Sequence, residues 1–105
     1  MNKREIIPIT PAEVIIEEIL TPNGITTEQL AHEIKMSISE VNRFLINNDR
    51  LTADFISRLN LFFGISKEFF YNLQNHYEDE MLNYSRDWKT FNIKPFIYKS
   101  NSLTL

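Results

Sequence analysis

Four residues in a six-residue window, Ile38, Ser39, Asn42 and Arg43, carry side chains suited to the edges of DNA bases. An arginine fork pairs bidentately with guanine and an asparagine amide with adenine. A serine hydroxyl donates or accepts, and an isoleucine can touch a thymine methyl. Groups suited to phosphate stand nearby. Thr26, Thr27 and Ser37 fall where helices should begin, and free amides plus the helix dipole favour an anion there. Asn47, Asn48 and Arg50, from "NNDR" at 47–50, add amide donors and a guanidinium.

Such chemistry needs a short helix held in the groove by a second helix that crosses it through a tight turn. The chain supplies both. Thr26-Thr27-Glu28-Gln29 and Ser37-Ile38-Ser39-Glu40 each read as a capping box, in which a hydroxyl and a side chain three residues on satisfy each other's amides. Leu30, Ala31 and Ile34 behind the first box, and Val41, Phe44 and Leu45 behind the second, are spaced for one buried face each. Ala31 is small where the two helices must approach closely. The pattern gives a helix-turn-helix over 26–46.

Three further helices complete an all-α fold. Thr10-Pro11-Ala12-Glu13 caps a first helix over 11–20, which "TPNG" at 21–24 should end. Thr52 opens a fourth, with Phe55, Ile56, Leu59, Phe62 and Phe63 expected inward and Gly64 at its C-terminal end. Ser66 opens a fifth over 67–84, with Phe69, Phe70, Leu73, Tyr77, Met81 and Tyr84 on one side. Residues 1–84 then form one domain. "DWKTFNIKPFIYKS" is aromatic, basic and broken by Pro95, so 85–105 reads as a C-terminal arm, extended or partly disordered.

Composition limits the function. The 105 residues are 43% hydrophobic and 24% charged, enough for one core and too few for two domains. The chain has no cysteine, no apolar run of about 18 residues and no secretory signal pattern at its start, which fits a cytoplasmic protein without a membrane span. The net charge of −3 argues mildly against nucleic acid. It is uneven, however. Asp54, Glu68, Glu78, Asp79 and Glu80 outweigh Arg58 and Lys67 over 53–84, whereas Arg86, Lys89, Lys94 and Lys99 outweigh Asp87 over 85–105.

Longer stretches resemble the HigA-type antitoxins, within the Xre/Cro-like helix-turn-helix proteins, over about residues 8–80. "TPAEVIIEEIL" is similar to the family's H-P-G-E-I opening, "LAHEIKMSISEVNRFL" to its L-A-x-x-L-G core, and "LTADFISRLNLFFGISKEFFYNLQ" to its I-T-P-D-x-A-x-R-L ending. In that ending Gly64, Ser66, Glu68, Phe69, Asn72, Leu73 and Gln74 fall in register. The resemblance implies a homodimer that binds and silences a RelE/HigB-like mRNA endonuclease and represses its own operon at a palindromic operator. By position it assigns base contacts to Ile38, Ser39, Asn42 and Arg43. Phosphate contacts go to Thr26, Thr27, Ser37 and the Asn47–Arg50 loop, and dimer contacts to Phe69, Phe70, Leu73, Tyr77, Met81 and Tyr84.

Two departures bear on affinity. Lys35 stands at the family's turn glycine, at a cost of about 1 kcal/mol if φ is positive there. Asp49 replaces a basic residue in the loop, so weaker and less salt-dependent DNA binding is expected. Glu40 belongs to a capping box and is weaker evidence against DNA.

Rival functions find less support. His76 and Glu80 lie at i, i+4 but lack a third metal ligand, and His32 reads as a surface residue. Gly24 and Gly64 are the only glycines, so no phosphate-cradling loop exists. The chain is read as no enzyme and as needing no cofactor. A helix-turn-helix fold used only for protein binding, and a stand-alone repressor without a toxin, remain as alternatives. In the arm, Trp88, Phe91, Phe96 and Tyr98 are expected to pack on the dimer or on the toxin.

Overall fold

The computed structural model describes residues 7–99. The basic start, residues 1–6, and the end of the arm, residues 100–105, lie outside the described residues. The first helix, α1, has three consecutive pieces: an α-helical turn Pro11–Val14, a wider π-type stretch Ile15–Leu20, and a tight 3-10 turn Thr21–Asn23. It is followed by α2 Thr27–Ile34, α3 Ile38–Leu45, α4 Ala53–Phe63 and α5 Lys67–Ser85, then a 3-10 turn Trp88–Phe91. No strand occurs among the described residues.

The capping residues act as their types require. Thr10, Thr26, Ser37, Thr52 and Ser66 each accept the backbone N–H three residues on, and the first three sit in reciprocal capping boxes. Gly64 ends α4 at φ 72°, where a Cβ would be strained. The first helix runs past its expected end at 20. Pro22 has no N–H to continue a regular helix, so the chain tightens into a 3-10 turn, closed where Gly24 N–H donates to the Thr21 carbonyl. The Asn23 amide donates to the Ile19 carbonyl at 2.7 Å.

Every helix contributes to one core. Ile15, Leu30, Val41, Phe55, Ile56, Leu59 and Phe70 are fully buried, each worth about 1.5–3 kcal/mol relative to exposure for the larger side chains. Leu51, in the loop after α3, joins them at 2% exposure. The rings of Phe44 and Phe55 stack at 4.3 Å between centroids and 10° between planes, fastening α3 to α4.

One residue expected inward, Phe62, faces out, and of the neighbouring pair Phe69 and Phe70, both expected to face a partner, one turns in. Phe62 is 40% exposed, and Phe63 beside it packs against the core instead. Phe69 is 39% exposed while Phe70 is fully buried. Adjacent helical positions point about 100° apart, so only one member of each pair can face the core.

Beyond α5 the chain leaves the core. The Trp88 indole N–H donates to Asn83 Oδ1 of α5 at 2.8 Å, and the Arg86 guanidinium lies over the Trp88 and Phe91 rings. After Asn92 at φ 53° the arm carries Ile93, Phe96, Ile97 and Tyr98, all more than half exposed.

Candidate nucleic-acid interface

The turn between α2 and α3 determines where α3 points. Lys35 takes the left-handed conformation, φ 62° and ψ 44°, as the glycine of the family pattern would. Met36 N–H then donates to the Ala31 carbonyl at 3.0 Å, and the half-buried Met36 side chain packs on the core. Arg58 of α4 holds the turn from outside. Its Nη1 donates to the carbonyls of Ile34 at 2.7 Å and Lys35 at 3.0 Å, while its Nε donates to Asp54 Oδ2 at 2.9 Å. A cation at a helix C-terminus satisfies carbonyls that the helix leaves unpaired.

The start of α3 is closed by Ser37 and Glu40. Glu40 N–H donates to Ser37 Oγ, and Ser37 N–H and Oγ–H both donate to Glu40 Oε1, all at 3.1–3.2 Å. The Ser37 backbone N–H, followed by its hydroxyl, holds the Glu40 carboxyl below its ordinary pKa. In α2, Thr26 N–H is likewise taken by Gln29 Oε1 at 2.8 Å, and Thr27 Oγ1 donates to Glu28. The caps of Thr26 and Ser37 therefore use their own amides. What is left for a phosphate is the first-turn amides that follow them.

Along α3, Ile38 is 48% exposed, and Ser39 and Arg43 are exposed at i, i+4 spacing. Asn42 differs. It is half-buried, and its side-chain oxygen Oδ1 is buried without a hydrogen-bond partner among the described residues. The expectation of four outward residues holds for three of them; Asn42 is turned partly into the fold because it shares the helix side between Ile38 and Leu45.

The loop after α3 is where charge gathers. Asn47 N–H donates to the Asn42 carbonyl, Asn48 takes φ 58°, and Asp49 N–H returns to the Arg43 carbonyl at 2.9 Å. Arg43 Nε donates to Asp49 Oδ2 at 3.0 Å, with its guanidinium carbon 5.8 Å from the Phe44 ring centroid. Arg50 Nε donates to Glu78 Oε2 of α5 at 2.7 Å. The same Glu78 oxygen accepts from Gln74 Nε2 at 3.1 Å, and Gln74 Oε1 accepts the buried Leu51 N–H at 2.9 Å. Gln74 is 5% exposed. Sequence reasoning had assigned no role to Arg58, Leu51, Gln74 or Glu78. Gln74 carried a signal, because it lies in the "NLQ" match.

On α5 the expected partner-facing residues divide. Phe70 is a correction: it fills the protomer's own core and has no surface to offer a partner. Phe69 is exposed, and Leu73, Tyr77, Met81 and Tyr84 are half-buried. His76 pairs with Glu80 at 3.2 Å, and no cluster of three or more metal-ligating side chains occurs among the described residues. No helix among them is long and apolar enough to cross a membrane.

Two short capped helices joined through a three-residue turn, with α4 and α5 closing the core behind them, define a helix-turn-helix protein of the Cro/repressor-like class. No family model matches the chain. Virulence-associated protein I of Dichelobacter nodosus is 32% identical over 92 residues, 88% of this chain and 83% of that one. Pseudomonas aeruginosa antitoxin HigA, solved with the higBA promoter, superposes with a TM-score of 0.74 at 30% identity, over 86% of this chain and 99% of its own. A Coxiella burnetii addiction module antidote protein of the HigA family superposes with a TM-score of 0.74 at 32% identity, over 87% and 100%. The chain belongs to the HigA family.

Proposed function

We propose that this chain is an antitoxin that binds operator DNA as a homodimer, represses its own operon, and binds and neutralises a RelE/HigB-like mRNA endonuclease. The observation that carries the reading is α3, anchored through Val41, Phe44 and Leu45 while Ile38, Ser39 and Arg43 stay exposed. A relative at 30% identity over 99% of its chain was solved with its promoter. Base reading is assigned to Ile38, Ser39 and Arg43, with Asn42 reaching a base only if its amide turns outward. Phosphate contacts are assigned to the starts of α2 and α3, at Thr27 and the first-turn amides that follow the Thr26 and Ser37 caps, and to Asn47, Asn48 and Arg50. Dimer contacts are assigned to Phe69, Leu73, Tyr77, Met81 and Tyr84 of α5.

A mobility-shift measurement with DNA from upstream of the gene tests the first part. Arg43→Ala is expected to weaken binding by about 1–3 kcal/mol, and equal affinity at matched salt removes α3 as the reader. Growth rescue on co-expression with an adjacent RelE-like reading frame tests the second part. A second reading, protein binding without DNA, is favoured by the two carboxylates on Arg43 and Arg50. It predicts a tight toxin complex and no promoter shift.

A further inference from the structure

We infer that Asp49 is a positioning residue. It aims the Arg43 fork at a guanine, and so raises sequence discrimination while lowering affinity for DNA of any sequence. The inference rests on the DNA reading proposed above.

The geometry is a closed ring of two hydrogen bonds between the same two residues. Asn48, at φ 58°, turns the chain back toward α3. Asp49 N–H then donates to the Arg43 carbonyl at 2.9 Å, which fixes the Asp49 backbone to the end of the helix. From that anchored position Asp49 Oδ2 accepts from Arg43 Nε at 3.0 Å. Only Nε is engaged. Neither Nη group of Arg43 has a hydrogen-bond partner among the described residues, so the end-on fork remains available for guanine O6 and N7.

This arrangement differs from sequestration, in which a carboxylate would occupy the fork itself. An unrestrained arginine samples many rotamers and must freeze one on binding, which weakens the contact. Holding Nε removes part of that loss before DNA arrives. The carboxylate has a second effect, because a negative charge beside the backbone repels every phosphate regardless of sequence. The two effects act on different observables and can be separated.

Affinities of the parent, Asp49→Ala and Asp49→Asn are to be measured at matched salt on two duplexes: the promoter, and a scrambled duplex of the same composition. Both variants should bind the scrambled duplex about threefold more tightly, having lost one negative charge. In Asp49→Ala the promoter-over-scrambled ratio should fall about fivefold, within what one bidentate contact supplies. Asp49→Asn keeps an acceptor for Nε and should retain more of the ratio than alanine does. Without DNA, the Arg43 Nε–H should exchange faster with solvent in Asp49→Ala, read by NMR on the folded protein. A ratio unchanged in Asp49→Ala, with both duplexes bound equally more tightly, overturns the inference and leaves Asp49 as a charge alone. A parent that shows no preference for the promoter overturns the DNA reading, and this inference with it.

Discussion

The turn before α3 and the loop after it are built from similar parts put to different uses. Each has a non-glycine residue at positive φ, Lys35 in the turn and Asn48 in the loop. Each is contacted by arginine. In the turn, Arg58 spends its Nη1 on the carbonyls of Ile34 and Lys35, so that cation is consumed by the fold. In the loop, Arg43 and Arg50 are each held at Nε by a carboxylate. All three guanidiniums are gripped at Nε by a carboxylate; Arg58 also spends its fork on backbone and so stabilises a turn, whereas Arg43 and Arg50 are bonded at Nε alone among the described residues.

The largest expected effect comes from cutting the loop's anchor. Gln74→Ala leaves the Leu51 N–H buried and unpaired, which should cost about 2–3 kcal/mol in denaturant unfolding. Amide exchange at Leu51 should rise more than at Met36 in the turn. An equal rise at both would show that loop and turn are one unit, and the contrast would fail. Arg58→Ala should cost about 1–2 kcal/mol by freeing the turn carbonyls. Its promoter affinity should change only as far as stability does, and a loss as large as that of Arg43→Ala would place Arg58 at the DNA.

Lys35→Gly should stabilise the protein by about 0.5–1 kcal/mol, because glycine adopts the left-handed conformation without a Cβ penalty. A lower melting temperature would mean that the lysine side chain offsets its own strain. The smallest effect is acid-dependent. The folded-state pKa of Glu40 is depressed by Ser37, so its contribution is present above the unfolded carboxylate pKa and is lost as pH falls through the folded one. Glu40→Gln should flatten that part of the acid unfolding curve, and an unchanged curve would remove the capping box as its source.

The helices were legible because their signals are local. Thr10, Thr26, Ser37, Thr52 and Ser66 announce their helix starts within four residues, and Gly64 marks an end. The choice between Phe62 and Phe63, or Phe69 and Phe70, was not legible, because it depends on how each helix rolls against its neighbours. The Leu51–Gln74 bond joins residues 23 apart and the Arg50–Glu78 pair spans 28, so neither is visible in a local pattern. Asp49 could be read as a charge near the DNA. That it grips Arg43 by Nε follows from the turn at Asn48, which sequence alone does not set.

Trp88 is the chain's single tryptophan, and its indole is tied to Asn83 at the end of α5, 42% exposed. The molecule thus carries one native tryptophan fluorophore, which excitation at the red edge selects over the four tyrosines, placed at the root of the arm and on a different element from α3. A partner that covers the arm should shift its emission to the blue, whereas DNA docked only on α3 should leave it unchanged. The two kinds of binding can then be told apart by colour, in one cuvette and without a label.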